Sequence, residues 1–245
     1  DKLPKKQPLV FYSNHQGFLD MFVYDLVLKS YPRGSMYKIE HTKNPIISGM
    51  VKALGGVPID RSDDRSAVKS VLTIINEVKN GVNFMIYPEG TRSRGITLND
   101  YHAGSFKIAQ KSGAPLVVLA IDGAYKKSCA IPFFRTNIYV EIVDVYENEK
   151  ICSMPTVELS KLVFEQTKKA LEIAKSQAKK IEKKANELYE VAKEKGTPVV
   201  EKAVSEVKDY ALKAAREVVS KLESEEGSNK KVNKKKTVKK PSSNK

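Results

Sequence analysis

A histidine and a carboxylate lie five positions apart in Asn14-His15-Gln16-Gly17-Phe18-Leu19-Asp20, directly after an apolar run. Imidazole exchanges a proton near neutral pH, and a carboxylate on its second ring nitrogen fixes the tautomer and stabilises the imidazolium. Such a pair can activate a nucleophile. Residues 9–12 read as a short buried strand, and residues 18–30 carry apolar side chains at helical spacing. His15 is therefore expected at a strand end, with Asp20 on the first turn of the next helix. A chain reversal over this distance brings the two side chains together, which helical i, i+4 placement alone does not guarantee. No serine or cysteine is obviously supplied as nucleophile, so the activated hydroxyl is expected to belong to the substrate or to water. By itself the pair is more often structural than catalytic, and its weight depends on the rest of the chain.

A second group of reactive types is Tyr87-Pro88-Glu89-Gly90-Thr91-Arg92-Ser93-Arg94. Pro88 ends a strand, and Gly90 lets the backbone approach a ligand closely. Thr91, Arg92, Ser93 and Arg94 bring hydroxyl and guanidinium donors, and the planar guanidinium fork matches phosphate oxygens. Arg61, emerging from Gly55-Gly56-Val57-Pro58-Ile59-Asp60-Arg61, adds a further fork. Taken alone, Glu-Gly-Thr-Arg is an ordinary polar loop. Beside a His/Asp pair it points to a phosphorylated substrate whose hydroxyl is deprotonated.

These residues need strand ends to carry them. Further strands are expected at 36–40, between the glycine turn at 55–56 and Arg61, and at 82–87, 115–121 and 137–145, with helices at 45–54, 65–80 and 103–112. Val68, Val71, Leu72, Ile75 and Val78 give the second of these an apolar face, with Gly81 as its stop. Strands alternating with helices predict an α/β fold with a mostly parallel central sheet flanked by helices and sites at the strand ends. His15, Arg61 and Glu89 would all emerge from such ends.

Composition changes near residue 155, after which Ala, Glu, Lys and Val dominate. Residues 1–155 hold 20 Lys and Arg against 15 Asp and Glu, whereas residues 156–245 hold 23 against 14, so most of the formal charge of +14 belongs to the second part. The basic balance therefore concerns an appendage more than the first domain. Cys129 and Cys152, the two cysteines, lack metal-ligand spacing, which suggests reduced thiols in a cytoplasmic setting. No run approaches the ~18 apolar residues of a spanning helix, and no signal peptide is visible.

The order and spacing of the motifs resemble those of the glycerolipid acyltransferase family, above all its 1-acylglycerol-3-phosphate (lysophosphatidic acid) acyltransferases. Asn14-His15-Gln16 through Asp20 is similar to the first block, Gly55 through Arg61 to the second, Tyr87 through Ser93 to the third, and Gly113-Ala114-Pro115-Leu116-Val117 to the fourth. The resemblance covers roughly residues 8–145. It implies a membrane-associated enzyme of phospholipid biosynthesis. A fatty acyl group would move from a thioester, on coenzyme A or acyl carrier protein, to the sn-2 hydroxyl of lysophosphatidic acid, giving phosphatidic acid. His15 would be the general base and Asp20 its orienter. Arg61, Gly90, Thr91 and Arg92 would hold the glycerol phosphate, while Glu89 would order the arginines or help position the acceptor. No cofactor or metal is implied. The oxyanion donors are not identifiable.

Three positions depart from the family pattern. Gly17 stands where Ser is frequent, which removes a local hydrogen bond but not the base. Tyr101-His102-Ala103-Gly104 replaces Phe-Lys-x-Gly, so that His102 stands where a lysine is usual, and Val118 replaces a common second proline. His41 and His102 read as structural or surface residues.

The predicted organisation is an acyltransferase domain at 1–155, an amphipathic helical appendage at 156–222 and a disordered polybasic tail at 223–245. A long helix spans 157–195, and Gly196-Thr197-Pro198 restarts a second through residue 222. A helical hairpin or coiled coil is the favoured form, with an in-plane membrane helix as the alternative. Eight lysines from Lys230 onward can each contribute about 1 kcal/mol near an anionic leaflet; a solubilising tail fits equally well. No specific nucleic-acid partner is expected, since aromatics are not interleaved with the charges. The expected location is the cytoplasmic face of the cell membrane, peripheral or held by an N-terminal segment missing from this chain, which begins with Asp. Competing readings are an acyltransferase using glycerol-3-phosphate or another lysophospholipid, and a non-catalytic lipid- or nucleic-acid-binding module. Retention of both His15 and Asp20 argues against the latter.

Overall fold

Six strands form, most of them short runs rich in β-branched and other apolar residues, with the more polar Arg-Gly-Ser-Met-Tyr-Lys as the exception: β1 (Val10–Ser13), β2 (Arg33–Lys38), β3 (Val57–Ile59), β4 (Asn83–Ile86), β5 (Leu116–Asp122) and β6 (Tyr139–Tyr146). The computed structural model describes residues 3–4, 6–60, 62–126 and 138–195. The strands pair in the order β3-β2-β4-β1-β5-β6. Every pairing is parallel except that of the edge strand β6 with β5. This is the expected mostly parallel α/β architecture.

The two-residue period of a strand sends alternate side chains to opposite faces. Val10, Tyr12, Phe84, Ile86, Leu116 and Val118 pack on one side and Phe11, Met85, Val117 and Leu119 on the other. The first face is covered by α3 (Asp64–Lys79), α4 (Lys107–Ser112), α5 (Asn148–Cys152) and the start of α6 (Thr156–Lys195). The second is covered by α1 (Asp20–Val27), through Tyr24, and by Leu28 just beyond it. Each large apolar side chain buried this way contributes about 1.5–3 kcal/mol.

Local chemistry fixes the helix starts. Asn44 Oδ1 accepts from the backbone N–H groups of Ile46 and Ile47 at 3.0 and 3.2 Å, and Pro45 opens α2 (Pro45–Ala53). Asp63 caps α3 through the Arg65 N–H at 3.0 Å. Gly113, at φ 81°, closes α4 in the left-handed conformation that favours glycine.

Several boundaries differ from expectation. Strand β2 occupies Arg33–Lys38, and the chain then turns through a 3-10 segment at Ile39–Lys43, which places Lys38 and His41 at the strand's end. The helix expected over 103–112 is a 3-10 turn, Ala103–Phe106, followed by α4. The first compact unit runs to residue 172, past the compositional change at 155. The reason is the apolar stripe of early α6: Leu159 and Val163 join the main core, and Ala170 and Leu171 pack on Ala120. Of the second unit, residues 173–195 continue α6. The second helix expected at 198–222 and the polybasic tail at 223–245 lie outside the described residues. No helix among the described residues is long and apolar enough to cross a membrane.

Candidate active site

Where β1 ends, Asn14 ties the chain to its neighbour strand. Its side chain accepts from Ile121 N–H and donates to Ile121 C=O, both at 2.9 Å, reproducing a missing rung of sheet bonding. His15 follows, on the sheet's C-terminal edge. The next residues double back so that Asp20, fully buried at the start of α1, faces the imidazole.

Asp20 is almost saturated. Its Oδ2 accepts from His15 Nδ1 at 2.7 Å, from Gln16 N–H at 2.6 Å and from Gly17 N–H at 3.0 Å, while Oδ1 lies 3.1 Å from Gly17 N. Three donors on one buried carboxylate keep its charge compensated. With Nδ1–H pointing at Asp20, the neutral tautomer leaves Nε2 as the free lone pair. The glycine at 17 also has a steric basis: a Cβ there would come within 3.2 Å of Ala124 O.

The loop after β4 holds His15 from the other side. Glu89, only 2% exposed, accepts from His15 N–H at 2.6 Å through Oε1 and from Asn99 N–H at 2.8 Å through Oε2. Ser93 N–H donates to His15 C=O at 2.8 Å. Both polar groups of the His15 backbone are thus bonded to the Glu89-to-Ser93 turn. Burial raises the Glu89 pKa above the ordinary carboxylate value, against the lowering effect of the two backbone donors. Gly90 turns at φ 69°, and Arg94 adopts φ 55°, a left-handed conformation costing a non-glycine residue about 1–2 kcal/mol. Strain of this kind persists where surrounding bonds over-determine the loop.

Tyr87 supplies the floor. Its ring stacks on the imidazole with centroids 4.2 Å apart and planes inclined by 22°. Its hydroxyl is buried without a hydrogen-bond partner among the described residues, and burial pushes its pKa far above the ordinary phenol value.

In front of this pair opens a cavity of about 480 Å³. His15, Gly90, Thr91, Arg92 and Arg94 form part of its wall, facing Lys38 and His41 from the end of β2. Met21, Met36, Ile47, Met50 and Val51 line an apolar portion. No carboxylate is among the described lining residues. The cavity therefore pairs a proton acceptor with a cationic, donor-rich wall and hydrocarbon-compatible surface, as expected of a site for an amphiphilic anion.

Of the residues singled out in the sequence, His15, Gly90, Thr91 and Arg92 share this cavity. Asp20 and Glu89 lie behind it, buried against the backbone. Arg61 falls outside the described residues. Sequence reasoning missed Lys38, the cavity position of His41 and the Tyr87 stack. The strand-end rule applied to β2 would have found the first two, had the strand's end been placed at Lys38. Among the described residues, no group of three His, Cys, Asp or Glu side chains is placed to hold a metal ion.

Residues 1–122, about half of the chain, match the family model described as acyltransferase, and this part of the chain belongs to that family. It is similar to a chloroplastic 1-acyl-sn-glycerol-3-phosphate acyltransferase of Brassica napus, 35% identical over 127 residues that cover 51% of this chain and 36% of that protein. A 1-acyl-sn-glycerol-3-phosphate acyltransferase of Borreliella burgdorferi is 23% identical over 179 residues, covering 71% of this chain and 70% of its own. The crystal structure of the 1-acyl-sn-glycerophosphate (LPA) acyltransferase PlsC from Thermotoga maritima superposes with a TM-score of 0.56 at 29% identity, covering 70% of this chain and 68% of that one. The chain spans about a third of the length of the plant relatives it matches.

Proposed function

We propose that the protein transfers a fatty acyl group from an acyl thioester to the sn-2 hydroxyl of lysophosphatidic acid, giving phosphatidic acid. The observation that carries this reading is the His15–Asp20 contact at 2.7 Å on the wall of a cavity that also presents Thr91, Arg92 and Arg94. The names of the similar proteins support the choice of acceptor.

In this mechanism Asp20 keeps the Nδ1–H tautomer in place, and Nε2 takes the proton of the acceptor hydroxyl as its oxygen attacks the thioester carbonyl. The imidazolium is stabilised by the Asp20 carboxylate and the stacked face of Tyr87. Collapse of the tetrahedral intermediate breaks the C–S bond, and the imidazolium returns its proton to the departing thiolate. The nucleophile is the substrate's own hydroxyl, so no acyl-enzyme forms. Gly90, Thr91 and Arg92 hold the acceptor phosphate, with Arg61 of the second block as a further ligand and Arg94, Lys38 and His41 completing the cationic wall. Glu89 acts on this site through the backbone of His15 rather than by touching substrate. The thioester is carried by coenzyme A or acyl carrier protein, and the reaction takes place at the cytoplasmic face of an anionic membrane.

The test is transfer of labelled acyl groups from both thioesters to lysophosphatidic acid, glycerol-3-phosphate and neutral monoacylglycerol. Lysophosphatidic acid should be the preferred acceptor, and His15→Ala should abolish transfer. A protein that acylates none of the three is not an acyltransferase of this class. Full activity in His15→Ala would remove the base from the mechanism.

A further inference from the structure

Helix α1 is apolar on two sides. Tyr24 and, just past the helix end, Leu28 point into the core. Phe18, Phe22 and Leu26, at successive i, i+4 positions, are 47%, 42% and 78% exposed. The rings of Phe18 and Phe22 meet edge to face at 5.6 Å, so they form a continuous apolar ridge. A single exposed apolar residue needs no explanation, but a contiguous row running from the turn before α1 along the helix marks a contact surface.

The ridge leads to the cavity. Phe18 both lines the cavity and reaches solvent, which places it on the rim. Across the opening, Ile47 of α2 lines the cavity while its neighbour Ile46 is 81% exposed. Apolar groups on two separate elements therefore border one opening, whose wall also carries Lys38, Arg92 and Arg94 and no carboxylate among the described residues. Apolar groups intended for burial against protein are seldom surrounded by unneutralised cations. Side chains that enter hydrocarbon beside cations that stay at headgroup level match the chemistry of an anionic bilayer.

We propose that the exposed face of α1 (Phe22, Leu26) and Phe18 in the turn before it, with Ile46 at the start of α2, dock the cavity opening onto an anionic lipid surface. An amphiphilic acceptor then passes from the leaflet into the cavity without crossing water, its chain following the apolar rim and its phosphate the cations. This inference rests on the acyl-transfer reading for the identity of the cargo, but the docking surface is defined by the exposed residues alone. It is distinct from electrostatic attachment through the lysines of the C-terminal tail, which stays intact in the test.

Sedimentation of the full chain with vesicles of phosphatidylcholine alone, or of phosphatidylcholine mixed with phosphatidylglycerol, tests the surface. Salt screens the tail's contribution and spares the apolar one. At high salt the wild type should keep binding the anionic vesicles. The Phe22→Asp/Leu26→Asp double variant should lose about tenfold or more of that binding, and Ile46→Asp a smaller part. Neither change touches a cavity-lining residue, so turnover of a short-chain, water-soluble acceptor should match the wild type. Unchanged vesicle binding in both variants overturns the proposal. So does a drop in melting temperature or in oligomeric mass in the double variant, since the face would then pack against protein. If the wild type acylates no acceptor yet the variants lose vesicle binding as described, the docking surface stands and the acyl-transfer reading falls.

Discussion

Two buried carboxylates flank His15 and do different things. Asp20 reaches the imidazole itself, so it governs which nitrogen carries the proton. Glu89 meets His15 at its peptide N–H and is held from behind by the backbone and side chain of Asn99, and so governs where the residue stands. One acts on the electronic state of the base and the other on its coordinates. The lesson is that two acidic residues equally close to a reacting group can be separated by the atom each one contacts.

That division can be broken by measurement. The largest effect is expected for Asp20→Asn, which replaces an acceptor of three donors with an amide that cannot hold the Nδ1–H tautomer. A fall in kcat of about 10²–10⁴-fold with little change in KM should follow. Next is Glu89→Gln, in which the amide nitrogen faces one of two backbone N–H groups. Stability should fall by about 1–3 kcal/mol in urea denaturation, with a loss of kcat smaller than that of Asp20→Asn. Equal losses from the two substitutions would erase the distinction between them.

Tyr87 refines the picture on the remaining side of the ring. Removing the stacked face in Tyr87→Leu should lower kcat roughly threefold to tenfold, the size of an aromatic pair worth about 0.5–1.5 kcal/mol. Tyr87→Phe should restore it, since the hydroxyl has no partner among the described residues to lose. A Phe variant as impaired as the Leu variant would assign the role to the hydroxyl instead.

The smallest effect is a pH slope. Because burial raises the Glu89 pKa, the folded protein binds that proton more tightly than the unfolded chain. From near the ordinary value of 4.5 up to the raised one, the folded state holds more of that proton, so its contribution makes stability fall as pH rises. Urea midpoints measured across this window should show the slope in the wild type and lose it in Glu89→Gln.

How much of this was legible in the sequence depended on distance along the chain. The His15–Asp20 contact is made within one turn, so residue type and spacing were enough to anticipate it. The contact of Glu89 with His15 spans 74 positions and runs to a backbone atom, which no side-chain pattern encodes. Lys38 and His41 come to the cavity because β2 pairs with β4, a neighbour relation set by the sheet order. The central strands β1, β4 and β5 were readable because burial on both faces demands near-unbroken apolar runs, whereas β2, Arg-Gly-Ser-Met-Tyr-Lys, carries no such run and its bounds were misread. The compact unit extends past the compositional change at 155 because Leu159, Val163, Ala170 and Leu171 keep the inward-facing stripe going within a polar-looking helix.

The two bonds that fasten the His15 peptide to the Glu89-to-Ser93 turn give the site a fixed span. The proton acceptor and the anion-facing loop form one rigid gauge, whose length is independent of how the rest of the cavity adapts. In the proposed reaction such a gauge measures the acceptor from its phosphate to its hydroxyl. Hydrocarbon of varied length can be accommodated beyond it, whereas an alcohol set one carbon farther from the anion would miss the imidazole.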